Sequence, residues 1–159
     1  MVAFDQDLLT AKRKYLFSVD EKKIKKAVYL ILEELGQTTT RTTEFDLTNL
    51  NSISVHVITT KGKIEAQNTK INKLERFIEK QKTKRKIIVV ANTYKELPIK
   101  NRANKEHLDH AMKLFFETNN TLFLTTLSLY KLHKKVITDQ ISVQEASSLI
   151  QNQSGEIQI

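Results

Sequence analysis

Periodic order along the chain begins near Ser18. Ile24, Val28, Ile31, Leu32 and Leu35 recur at offsets of 4, 7, 8 and 11 residues, the apolar stripe of an amphipathic helix. Ser18 and Glu21 have the S-x-x-E spacing of a capping box, which satisfies the first main-chain amides of a helix. Gly36 follows Leu35, where a left-handed residue often closes a helix. Between Thr38 and Thr60 the period changes to 2. Phe45-Asp46-Leu47 and Ile53-Ser54-Val55-His56-Val57 alternate apolar with polar residues, and Asn49 to Ser52 supply turn formers between them. This predicts a β-hairpin of half-buried strands, with Phe45, Leu47, Ile53, Val55 and Val57 facing a core.

Lys61-Gly62-Lys63 breaks the alternation. Ile64, Ile71, Leu74 and Ile78, with Phe77 beside them, predict a second helix of about four turns. After the charged connector Lys80 to Lys86, the run Ile87-Ile88-Val89-Val90-Ala91 is apolar throughout, as in a strand covered on both faces. A polar loop from Thr93 to Ala103 carries the lone proline, Pro98. Leu108, Ala111, Met112, Phe115 and Phe116 predict a third helix, Leu122 to Leu124 a short strand, and Leu127, Tyr130, Leu132 and Val136 a fourth helix. A capping box at Ser142 and Glu145 opens a short helix to Ile150, and Ser154 to Ile159 reads as an extended tail. The expected architecture is α/β: a mixed central sheet of about four strands flanked by helices, in the order α-β-β-α-β-α-β-α. One domain, 1–159, has its core at about 15–138 and the short helix and tail at 142–159.

Composition narrows the choice of function. A length of 159 residues with 40% hydrophobic positions suits one folded domain. The absence of cysteine removes disulfides, thiolate metal sites and cysteine nucleophiles. No apolar run approaches the roughly 20 residues of a membrane span, and the first residues lack a signal-peptide core, so a cytoplasmic protein without membrane contact is expected. No G-x-S-x-G, G-x-x-x-x-G-K-[ST] or G-x-G-x-x-G occurs, which leaves serine-hydrolase and phosphate-loop chemistry without support. His107 and His110, three apart on the expected third helix, lack a third ligand for zinc. Lys and Arg number 26 against 18 Asp and Glu, a net +8, which points to an anionic partner. The basic clusters are Lys22, Lys23, Lys25 and Lys26 on the first helix, Lys80, Lys82, Lys84, Arg85 and Lys86, then Lys95, Lys100, Arg102 and Lys105 around Pro98, and Lys131, Lys134 and Lys135 at the end of the fourth helix.

Several local phrases occur in a telling order. Tyr15-Leu16-Phe17 leads into the first helix and Leu35-Gly36 closes it. Lys61-Gly62-Lys63-Ile64 precedes the second, and Val89-Val90-Ala91-Asn92-Thr93-Tyr94 runs on to Leu97-Pro98 and Arg102. Leu124-Thr125-Thr126-Leu127-Ser128-Leu129-Tyr130 and Ser142 to Glu145 complete the set, with Gly155 beyond. Across residues 15 to 155 the chain resembles the compact restriction-endonuclease-like, PD-(D/E)XK-type domains found at the C-terminus of prokaryotic multidomain proteins.

The resemblance implies a hairpin that presents an Asp on one strand and a Glu and a Lys, two apart, on the next. The acids hold Mg²⁺, which activates water for phosphodiester cleavage. Asp46 falls where the Asp belongs. The Glu position is His56, the Lys position is Ile58, and the acid of the first helix falls near Lys25. The active site therefore reads as degenerate, and three functions remain open. The first is a non-catalytic module that binds nucleic acid through phosphates or docks a partner protein within a larger system, phage defence being one setting the family suggests. Lys25, Lys61, Lys63, Lys84, Arg85, Lys86 and Arg102 are its candidate contacts. The second is a Mg²⁺-dependent nuclease with a rearranged site built from Asp46, His56 and Glu65. The third is a structural or homo-oligomerisation unit that uses the Phe115–Phe116 helix.

Overall fold

The computed structural model describes residues 15–37, 53–80 and 86–159 in full, and residues 40–41 and 48–50 by their backbone. Helix α1, Glu21–Glu34, buries Ile24, Ala27, Val28, Ile31 and Leu32, the expected stripe. Its start differs in detail from the capping-box expectation. Asp20 is the N-cap and accepts from the Lys22 amide at 3.0 Å, while Ser18 turns back to accept from the Asp20 amide. An aspartate at the half-in position meets an orphan amide directly, so the hydroxyl two residues earlier is displaced. At the other end Gly36 has φ +84°. The Gln37 amide bonds the Leu32 carbonyl and the Gly36 amide that of Glu33, a Schellman closure.

The sheet corrects the four-strand mixed expectation. Among the described residues it has six strands in chain order: β1 Thr40–Arg41, β2 Thr48–Leu50, β3 Ile53–Thr59, β4 Lys86–Asn92, β5 Thr121–Thr125 and β6 Gly155–Glu156. Its body is the four parallel strands β3 to β6, and the short antiparallel β1 and β2 sit at the β3 edge. Asn49 and Leu50 belong to β2 rather than to the turn, because Leu50 pairs with Ile53. Phe45, Asp46 and Leu47 lie outside the described residues.

Two helices also begin later than the apolar spacing predicts. Helix α2 is Thr69–Lys80 because Asn68 Oδ1 accepts from the Lys70 amide at 2.9 Å and starts the helix there. Helix α3 is His110–Thr118 because Asp109 caps it through the Met112 amide at 2.8 Å. Ile64 and Leu108, both assigned to helices from sequence, instead pair in an isolated parallel bridge and are fully buried. Helices α4, Thr126–Ile137, and α5, Val143–Asn152, follow the expectation, with Thr125 and Ser142 as side-chain caps.

The sheet separates two cores. On one face α1, α4 and α5 pack against Val55, Val57, Ile88, Val90, Leu122 and Leu124. A bond from buried His133 to Glu34 ties α4 to the end of α1. On the other face α2 and α3 cover Ile58, Ile87, Val89, Ala91 and Phe123. Phe116 stacks on Phe123 there, centroids 5.8 Å apart, so half of the aromatic pair on α3 is already spent inside the molecule. Among the described residues no helix is long and apolar enough to cross a membrane.

This layering sets where a site can form. The steps β3-α2-β4 and β4-α3-β5 move across the sheet in one direction with their helices on one face. The step from β5 to β6 moves the same way but carries α4 and α5 on the opposite face, so its hand is opposite to the other two. The chain therefore leaves the carboxyl ends of β4 and β5 toward opposite faces. Between two such strand ends an open parallel sheet has its natural crevice.

Candidate functional site

The β3 positions that the family resemblance makes catalytic are enclosed. Ser54, His56 and Ile58 point to the α2 face, and none is half-exposed as the alternation predicted. Ile58 is 2% exposed and belongs to the second core. His56 is 8% exposed, and its ring meets Phe77 of α2 edge-on at 5.5 Å. Burial, helped by the nearby Lys70 charge, lowers its pKa to about 3, so the imidazole is neutral. His56 Nε2 and Ser54 Oγ have no hydrogen-bond partner among the described residues. A neutral ring under a phenyl group offers a hard cation nothing, and an isoleucine cannot assist a phosphate.

The remaining candidates do not assemble a metal centre around it. Asp46 lies outside the described residues. Glu65 precedes α2 instead of opening it, and its carboxylate accepts from Gln67 Nε2 at 2.6 Å. Among the described residues no three His, Cys, Asp or Glu side chains are grouped to hold a metal ion. The described donors thus do not fit the Mg²⁺ site that the resemblance implies. His107 and His110 do not share a helical face either, since His107 precedes α3.

At the β3 edge the structure instead gathers lysines. Lys70 of α2 reaches back over the strand to the Val57 carbonyl at 3.3 Å and pairs with Glu21 of α1. Lys25 approaches the same carboxylate oxygen at 3.9 Å. The starts of α1 and α2 are therefore neighbours, joined through Glu21. Lys22, Lys23 and Lys26 are exposed on α1, and Lys73 is exposed one turn beyond Lys70. Asp20 and Glu21 open α1 with the acids its dipole favours, but four lysines follow in its first half, and Glu33 and Glu34 end it with no base in the last turn, so the charge order beyond the first residues opposes the dipole.

The other basic candidates are placed differently. Lys61 and Lys63 stand on the surface opposite Glu96 at 3.6 Å and Glu106 at 3.5 Å. Lys86 is 9% exposed and is tied to the Gln153 carbonyl and to Asn120 Oδ1, which lowers its pKa through burial. Arg102 is 5% exposed. It donates to Asn92 Oδ1 at 2.7 Å and to the Leu97 and Lys95 carbonyls, and it lies over the Phe17 ring at 5.5 Å. Its role is to fold the loop after β4. Lys84 and Arg85 lie outside the described residues.

At the crevice between β4 and β5 a cleft of about 80 Å³ opens, lined among others by His107, Thr125, Ser128, Lys131 and Glu156. His107 Nδ1 is 2.6 Å from Thr93 Oγ1, and Tyr94 meets the ring edge-on. Burial holds its pKa below the usual histidine value, against a hydrogen bond to the Arg102 main chain that works the other way. Burial also raises the pKa of Glu156, with Lys113 opposing and Glu106 adding to the shift. The sequence reading missed this cleft. The apolar run ending in Thr125-Thr126 signals a strand that passes straight into a capped helix, but nothing local shows that β6 returns beside it.

No family model, no curated protein and no solved structure matches the chain.

Proposed function

We propose that the chain is a catalytically degenerate module of restriction-endonuclease-like architecture that binds nucleic acid through its phosphates. The observation that carries this reading is the lysine surface where α1 and α2 begin, with Lys25 and Lys70 converging on Glu21 and Lys22, Lys26 and Lys73 beside them. Each cation set against a phosphate releases condensed counterions, and such contacts need neither a metal nor base recognition. The four lysines that follow Asp20 and Glu21 in the first half of α1 support it further. Helix stability alone favours acids at the start and bases at the end, and an anionic partner favours the opposite. The enclosure of His56 and Ile58 removes catalysis from the reading, because a cleavage site needs open oxygen ligands for its cation. Lys86 and Arg102 are left out of the contact surface, being spent on internal bonds.

The test is plasmid DNA incubated with the protein and Mg²⁺ or Mn²⁺, with duplex binding measured in parallel in EDTA. Binding without cleavage is expected, and binding unaffected by EDTA. Metal-dependent cleavage that Asp46→Ala abolishes would replace this reading with the rearranged nuclease.

A further inference from the structure

After α4 the chain reverses at Asp139, which adopts the left-handed conformation at φ +58°, and returns to the sheet as α5 and β6. The rest of the fold holds this segment lightly. α5 buries Ala146 and Ile150, where α1 buries five residues. Gln37 Nε2 donates to Ser147 Oγ at 2.6 Å. β6 is two residues long and pairs with β5 at Leu122 and Phe123, extended by the Ile157 amide on the Phe123 carbonyl. It also arrives by the connection whose hand is opposite to the other two, although parallel sheets strongly favour one hand.

Lys86 fastens the far end. From the first position of β4 its ammonium reaches the Gln153 carbonyl and Asn120 Oδ1, the latter at 3.4 Å, and Ser154 Oγ donates to the same Asn120 oxygen at 3.3 Å. One side chain thus laces together the starts of β4, β5 and β6. Gln153 is the C-cap of α5, whose last turn carries no base, so Lys86 supplies from another element the positive charge that this helix end lacks. The ammonium is buried and has no ion pair among the described residues, so it is stable there only while its neutral acceptors stay in place. We propose that α5 and β6 form a strap that lifts from the sheet as one unit while the rest of the fold stays intact, and that Lys86 is its clasp. In the lifted form β5 is the edge of the sheet and the α5 side of the first core is open.

The test is native-state hydrogen exchange of the whole chain, read amide by amide. In wild type the slowest amides of α5 and β6 should exchange at a common opening equilibrium, at least about 10-fold faster than those of β4. Lys86→Met removes the ammonium and keeps an apolar stem. It should speed α5 and β6 about 10-fold, the effect of one charge-assisted hydrogen bond. Ile71→Val trims the second core, which stays packed when the strap lifts. It should speed β4 about 5-fold and leave α5 and β6 within about 2-fold, since its contacts are lost only on global unfolding. Where Lys86→Met does not fold, the wild-type rates and Ile71→Val still decide. Equal rates in α5, β6 and β4 of wild type overturn the proposal. So does α5 unaffected by Lys86→Met, or α5 accelerated as much as β4 by Ile71→Val.

Discussion

At the residue scale, His56 is the clearest instance of a side chain whose surroundings decide its chemistry. As a polar residue in an alternating run it reads as a ligand or base on an open strand face. The same alternation places it under α2 once that helix crosses β3, and there the ring is worth more neutral than charged. The unfolded ring takes up a proton below about pH 6.5 and the folded ring only near pH 3, so the unfolded state binds more protons in between. Stability from this residue is complete above pH 6.5 and falls as pH drops through that window, by up to about 1.4 kcal/mol per pH unit. Urea unfolding at pH 7 and pH 5 should therefore show wild type losing about 2 kcal/mol more than His56→Leu. Equal losses in the two proteins would show that His56 protonates freely in the native state.

At the scale of elements, α1 displays a conflict between stability and binding. Its apolar stripe and its glycine closure were legible in the sequence, because a 3.6-residue period and a left-handed terminus are local properties. The starts of α2 and α3 were not. Ile64 and Leu108 fit each helical stripe by spacing, yet single caps at Asn68 and Asp109 exclude them and leave them free to pair with each other. Pairing at that distance in sequence leaves no periodic trace. The reversed charges on α1 lead to a prediction with two signs. Replacing Lys22 and Lys23 with glutamate should raise thermal stability, by about 0.3–1 kcal/mol per site at low salt, while weakening duplex binding at least about 10-fold. Thermal melts and fluorescence anisotropy on one preparation check both. A variant that is stabilised and still binds as tightly would detach α1 from the contact surface.

For the whole molecule, the sheet determines which sequence signals become sites. Parallel strands buried on both faces are needed to hold α2 and α3 on one side and α1, α4 and α5 on the other. That burial closes the β3 positions, His56 and Ile58, where the sequence resemblance would place a Glu and a Lys. It also brings together groups that sequence could not associate, such as Lys70 with Glu21, 49 residues apart. Arg102 and Lys86 show the reverse case, charges within basic runs that the fold turns inward as ties for a loop and a tail. Surface charge counted along the chain therefore overstates what faces a partner; among the described residues the α1–α2 lysines form one coherent basic surface.

The most direct measurement of that account is the affinity for a short DNA duplex across a salt series. Wild type is compared with a variant carrying Lys22→Gln, Lys26→Gln and Lys73→Gln. Log K should fall with log salt with a slope of about −4 for wild type and about −1 to −2 for the variant, as three phosphate contacts are removed. A flat response in wild type, or the same slope in both proteins, would contradict the account.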